Sequence, residues 1–92
     1  MWFAIEDLDC CICIADAYNK TRPSLYMTKK ALLFLKGYIP EAFLVDERGI
    51  YYKGHPIILD ATLNSDNVIA IPTSIETIYY SWRGVRNGKS NG

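Results

Sequence analysis

Ninety-two residues suit one domain with a limited core and leave no room for two. Half of them are hydrophobic and 22% are charged, which is too apolar for a disordered chain. Ten Lys and Arg against ten Asp and Glu give a formal net charge of zero, so neither a basic coat for duplex nucleic acid nor an acidic mimic of one fits. Neutrality also weakens repulsion between copies and, with two Trp, seven Tyr and three Phe, favours self-association or a permanent partner.

The first element reads as a helix over about residues 4 to 18. Ile5, Leu8, Ile12 and Ala15 recur at three-and-four spacing, and acids in the first turns suit the helix dipole. A strand over Cys11 to Ala15 competes, because Ile14 falls off that stripe and Cys and Ile tolerate pleated structure. Residues 1 to 16 carry Glu6, Asp7, Asp9 and Asp16 without a cation, and residues 20 to 36 carry Lys20, Arg22, Lys29, Lys30 and Lys36 without an anion. The two stretches are expected to complement each other. The opening residues have neither the basic leader nor the apolar core of a signal peptide, and three clustered cysteines are no secreted disulfide framework. A reducing, cytoplasmic setting is the expectation. No apolar run approaches the roughly 20 residues that cross a bilayer, so no membrane partner is expected.

Asn19 to Ser24 reads as a turn and Leu25-Tyr26-Met27 as a short buried strand. Thr28 then caps a second helix from Lys29 to Lys36, with Gly37 supplying the left-handed residue that ends it and Pro40 keeping it from resuming. Glu41 to Val45 and Ile50 to Lys53 flank Asp46-Glu47-Arg48-Gly49 as a hairpin. Gly54-His55-Pro56 breaks that hairpin: Gly54 is free to take a positive φ, and Pro56 pushes His55 into an extended conformation. Ile57-Ile58-Leu59 runs on as a strand, Asn64 to Asn67 is a polar turn, and Val68 to Ile71 is a strand ended by Pro72. Thr73 and Glu76 have capping-box spacing before a stripe of Ile75, Ile78, Tyr79 and Trp82, but Thr77-Ile78-Tyr79-Tyr80 is strongly strand-forming, and a turn followed by a strand is preferred. The sum is a single α+β domain over residues 1–83, one or two short helices on an antiparallel or mixed sheet, with a flexible polar tail over 84–92.

Little in this pattern suits catalysis. Zinc usually takes four Cys or His ligands, and only Cys10, Cys11, Cys13 and a distant His55 are present, so the cysteines read as small buried packing residues and no metal or cofactor is assigned. His55 reads as a turn or rim residue, and Asp46 and Glu47 as a solvated loop. Gly88-Lys89-Ser90 resembles the end of a phosphate-binding loop but lacks its leading glycine, since Arg83 stands there. Arg83, Arg86 and Lys89 make a weak phosphate footprint beside Tyr79, Tyr80 and Trp82. Tyr79, Tyr80, Trp82 and Arg83 are therefore the interaction candidates, for a protein partner or a second copy before nucleic acid, and Gly54 and Pro56 the structural turn.

One stretch carries a family pattern. Leu25-Tyr26-Met27-Thr28 leads into a short helix and a hairpin, followed by Tyr52-Lys53-Gly54-His55-Pro56-Ile57-Ile58-Leu59-Asp60, then Leu63 and Val68-Ile69-Ala70. Residues 22 to 75 thus resemble the core of tailed-phage major capsid proteins, in which a strand-to-helix step precedes a Gly-x-Pro-Val/Ile segment, a polar turn and another strand. The long N-terminal arm, spine helix and extended loop of those shell proteins do not fit in 92 residues, so a complete subunit of that kind is not expected. The resemblance implies assembly rather than catalysis, in a virion or its host cytoplasm. Its rival is a small phage-type or host regulatory protein that binds and inhibits one macromolecule.

Overall fold

A computed structural model describes residues 5–63 and 65–81. Two helices, α1 (Ile5–Ala17) and α2 (Lys29–Tyr38), a 3-10 turn (Pro40–Ala42) and six strands form one α+β unit: β1 (Leu25–Met27), β2 (Phe43–Asp46), β3 (Gly49–Tyr52), β4 (His55–Leu59), β5 (Val68–Pro72) and β6 (Thr77–Ser81). The sheet order is β2-β3-β4-β1-β5-β6. It is mixed: β1 runs parallel to β4 and every other neighbouring pair is antiparallel. No helix of the described residues is long and apolar enough to cross a membrane.

For the first element the helix prevails over the strand. Leu8, Ile12 and Ala15 are buried, and Ile14, off that stripe, is exposed. Beyond α1, the Asn19 amide donates to the Pro72 carbonyl at 3.1 Å and the Ser74 hydroxyl to the Tyr18 carbonyl at 2.6 Å, which fastens this end of the helix to the β5–β6 turn. Thr28 caps α2 as its sequence implies, with extended backbone and its hydroxyl accepting from the Ala31 N–H at 3.2 Å. Gly37, however, does not end the helix. It lies inside α2, which runs to Tyr38 and stops at Ile39 (φ −143°, ψ 70°). The residue before a proline is pushed out of the α region, so Pro40 and not Gly37 sets the boundary.

Two turns also differ from expectation. Residue 41 falls in the 3-10 turn that opens at Pro40, so β2 starts only at Phe43. Glu47 and Arg48 alone make the β2–β3 turn, where Asp46 Oδ1 accepts from the Arg48 and Gly49 N–H groups at 2.8 and 3.2 Å and Gly49 takes φ 148°. Gly54 does adopt a positive φ, 87°, but Lys53 does so too, at 49°. Together they form the two-residue turn of a second hairpin, with Tyr52 opposite His55 and Tyr51 opposite Pro56. His55 and Pro56 therefore belong to β4 and do not break it. A strand accepts Pro56 because the pair beside a two-residue turn is the hydrogen-bonded one; the Tyr51–Pro56 pair is the non-bonded one, and pairing of β4 with β1 begins only at Ile57.

After Pro72 the strand reading holds. Thr73 and Glu76 use their spacing in a turn: the Thr73 hydroxyl accepts from the Ile75 and Glu76 N–H groups at 3.2 and 2.9 Å, and the Thr73 N–H donates to the Glu76 carbonyl at 2.8 Å. The ion pairs among the described residues do not join the acidic and basic stretches of the N-terminal region. Asp9 meets Lys53 at 2.6 Å, and Lys30 lies 4.0 Å from Asp66. The proposed tail, 84–92, lies outside the described residues.

Candidate functional site

Alternation along the strands divides the sheet into two faces. Leu25, Met27, Tyr52, Ile69, Ile71 and Tyr80 point to the helices and form the core with Leu8, Ile12 and Ala15 of α1 and Ala31, Leu32 and Leu35 of α2. The residues between them point the other way, where no described helix lies. On this open face the register aligns two rows. Leu44, Tyr51 and Pro56 stand opposite one another across β2, β3 and β4, and Ile58, Tyr26, Ala70 and Tyr79 do so across β4, β1, β5 and β6. Pro56 and Ile58 are next-but-one neighbours on β4, so the rows join into one band without a charged side chain. Asp46 and Asp60 stand at its margins. Aromatic enrichment and charge depletion of this kind mark the centre of protein interfaces.

Of the four interaction candidates, the structure describes two, Tyr79 and Tyr80, and places them on opposite faces of the sheet. Tyr79 is 65% exposed on the open face, whereas its neighbour Tyr80 is 8% exposed and packs in the core, because successive strand residues face opposite sides. Trp82 and Arg83 lie outside the described residues. Gly54 sits in the β3–β4 turn, where an added Cβ would collide with the Arg22 guanidinium. Pro56 is part of the open-face band. His55, expected as a turn or rim residue, is the first residue of β4 beside the β3–β4 turn, half-buried on the helix-covered side, with Nδ1 3.3 Å from the Pro23 carbonyl oxygen.

The cysteines also depart from expectation. Cys10 and Cys13 are exposed and only Cys11 packs against the core, since the buried stripe of α1 passes through Leu8, Ile12 and Ala15. Burial, followed by the charges of Cys10 and Asp7, pushes the Cys11 thiol pKa up, away from reactive thiolate. No group of three or more Cys, His, Asp or Glu among the described residues is arranged to hold a metal.

A pocket of about 640 Å³ lies at the β5–β6 end of the open face. Val68, Ala70 and Pro72 of β5 form its floor, Thr77, Tyr79 and Ser81 of β6 one wall, and Tyr26 with the loop after β4 the other. The start of that loop is held in place. The Asp60 N–H donates to the Met27 carbonyl at 2.9 Å, and Asp60 Oδ1 accepts from the Thr62 N–H and hydroxyl at 2.9 and 2.5 Å. The two Thr62 donors hold the Asp60 carboxyl pKa below its usual range and keep it ionised. Tyr26 and Ala70 carried no functional expectation, but a signal for Tyr26 was present: Leu25 and Met27 flank it, so burying both puts Tyr26 on the opposite face.

Compared with protein-family models, curated proteins and solved structures, the chain gives no match.

Proposed function

We propose that this chain is a non-enzymatic assembly protein whose copies join through edge strand β2, with a virion-like structural role as its most concrete form. The observation that carries the reading is the exposure of Leu44 and Val45, 69% and 65%, on opposite faces of the strand that ends the sheet. Edge strands that must stay single are commonly guarded by charge or proline, and the one charge in β2 is Asp46 at its last position, where the carboxylate is taken up by the Arg48 and Gly49 N–H groups of the turn. Antiparallel pairing of β2 with β2 of a second copy would satisfy the outward backbone groups, cover both side chains and join two open-face bands into one. Zero net charge leaves little long-range repulsion to oppose this. The resemblance of residues 22 to 75 to capsid cores favours the same class of role.

The test is molar mass in solution across concentration, with electron microscopy of any large species. Mass should rise with concentration, and Val45→Lys, which puts a charge on the edge, should hold the protein at one chain. Wild-type protein that keeps a single-chain mass at every concentration would refute the reading.

A further inference from the structure

We infer that the pocket over β5 is a binding site for a proline-rich segment of another protein, held in polyproline II conformation with a basic residue at the Asp60 end. The inference is independent of pairing through β2, which lies at the opposite edge of the sheet.

Geometry comes first. Tyr26, Ala70 and Tyr79 stand in register on three adjacent strands, so the two tyrosines are two strand spacings, roughly 10 Å, apart with the smallest side chain of the row between them. A slot floored by a methyl group and walled by aromatic rings accepts one flat apolar ring, and a prolyl ring has that shape. Three floor positions, Val68, Ala70 and Pro72, span about 13 Å of strand, the length of about four polyproline II residues.

Chemistry narrows the ligand further. The floor strand is paired on both sides, with β1 and β6, so it has no free edge with which to bind a peptide as an added strand. Among the described residues the polar groups left to an occupant are mainly hydroxyls, of Tyr26, Thr77, Tyr79 and Ser81. Hydroxyl donors match the unpaired carbonyls of a proline-rich backbone, which has few N–H groups of its own to satisfy. Among the described residues no lysine or arginine lines the pocket, and Asp60 gives it negative charge, which opposes a nucleic-acid backbone and attracts a Lys or Arg beside the prolines. Sugars are commonly gripped by several carboxylate or amide side chains, and among the described residues of the lining Asp60 is the single side chain of that kind, with one oxygen already engaged by Thr62.

The probe is a fluorescein-labelled octaproline peptide with an N-terminal arginine, titrated by anisotropy into wild-type protein and into Val45→Lys, Tyr79→Ala and Asp60→Asn variants. The expected result is saturable binding to wild type and Val45→Lys alike. Tyr79→Ala should weaken it by about tenfold or more, without loss of fold because that side chain is mostly exposed. Replacing the peptide's arginine with glutamate should weaken binding to wild type, and Asp60→Asn should remove that preference. Absence of saturable binding up to millimolar peptide would overturn the inference, as would a Tyr79→Ala variant that binds like wild type. Binding of maltohexaose or oligouridine at Tyr79, with octaproline excluded, would overturn it too.

Discussion

Asp9 of α1 and Tyr52 of β3 meet across 43 positions of sequence, the buried phenol donating a 3.0 Å hydrogen bond to one carboxylate oxygen. Lys53, the next residue, donates to the other oxygen at 2.6 Å. One carboxylate thus ties the first helix to the end of a strand and to the turn that follows it.

Removing that phenol should be costly in a pH-dependent way. Burial and, after it, the Asp9 carboxylate hold the Tyr52 pKa well above the ordinary value for tyrosine. The folded protein therefore keeps a proton that the unfolded chain loses above about pH 10. The stability this contributes is full below that pH and declines as pH rises beyond it. Tyr52→Phe should cost about 1 kcal/mol near neutrality, as Asp9 is partly exposed, and should flatten the alkaline decline. Urea midpoints from pH 8 to 11 check this; an identical alkaline slope in wild type and variant would contradict it.

Gly54→Val should destabilise by about 1 to 3 kcal/mol, since φ 87° is disfavoured for a β-branched residue. The Arg22 guanidinium in the way of a Cβ is the end of a flexible side chain and can move aside. Arg22→Ala should consequently fail to rescue Gly54→Val in denaturant titrations, whereas a full rescue would make the clash and not the backbone the cause. His55→Ala, which gives up one 3.3 Å contact with Pro23, should cost less than Gly54→Val.

Thiol accessibility should divide the cysteines two to one. Cys10 and Cys13 should react promptly with Ellman's reagent in the folded protein, and half-buried Cys11 slowly, with all three reacting alike in urea. Three equally fast thiols under native conditions would show that α1 does not pack as described.

Thr28→Ala should cost about 1 kcal/mol and Thr28→Ser much less, because serine keeps the hydroxyl that accepts from the Ala31 N–H. Thermal melts of the two variants measure the difference; equal losses would assign the effect to the methyl group.

Where local chemistry decides the backbone, the sequence was readable. Thr28 before a run of helix formers, the period of Leu8, Ile12 and Ala15, and the polar residues before Val68 all lead to elements that are present. Misreadings arose where two local signals competed or a nonlocal partner decided. Gly37 can end a helix, but Pro40 lies close enough to set the boundary itself. Pro56 reads as a break unless it is known to fall at a non-bonded position of a hairpin, which depends on Tyr51 opposite it. Tyr79 and Tyr80 look like one aromatic pair, and only the register with Ala70 and Ile69 assigns them to opposite faces. The pocket over β5 was the least legible feature, because its floor and walls come from four separate stretches of chain.

Strand β1 has a further consequence for how the sheet opens. The β2-β3-β4 meander and the β5-β6 hairpin are each closed by short turns, and neither pairs with the other; a three-residue strand from early in the sequence separates and joins them. Pulling β1 out would divide the sheet into two halves that retain their own local ladders. Native-state hydrogen exchange should therefore show the amides of β1 and the facing edges of β4 and β5 opening as one cooperative unit, at lower free energy than the ladder inside either half. In refolding, insertion of β1 closes the longest loops in the sheet and should be its slowest step, so breathing and final assembly would share the same seam.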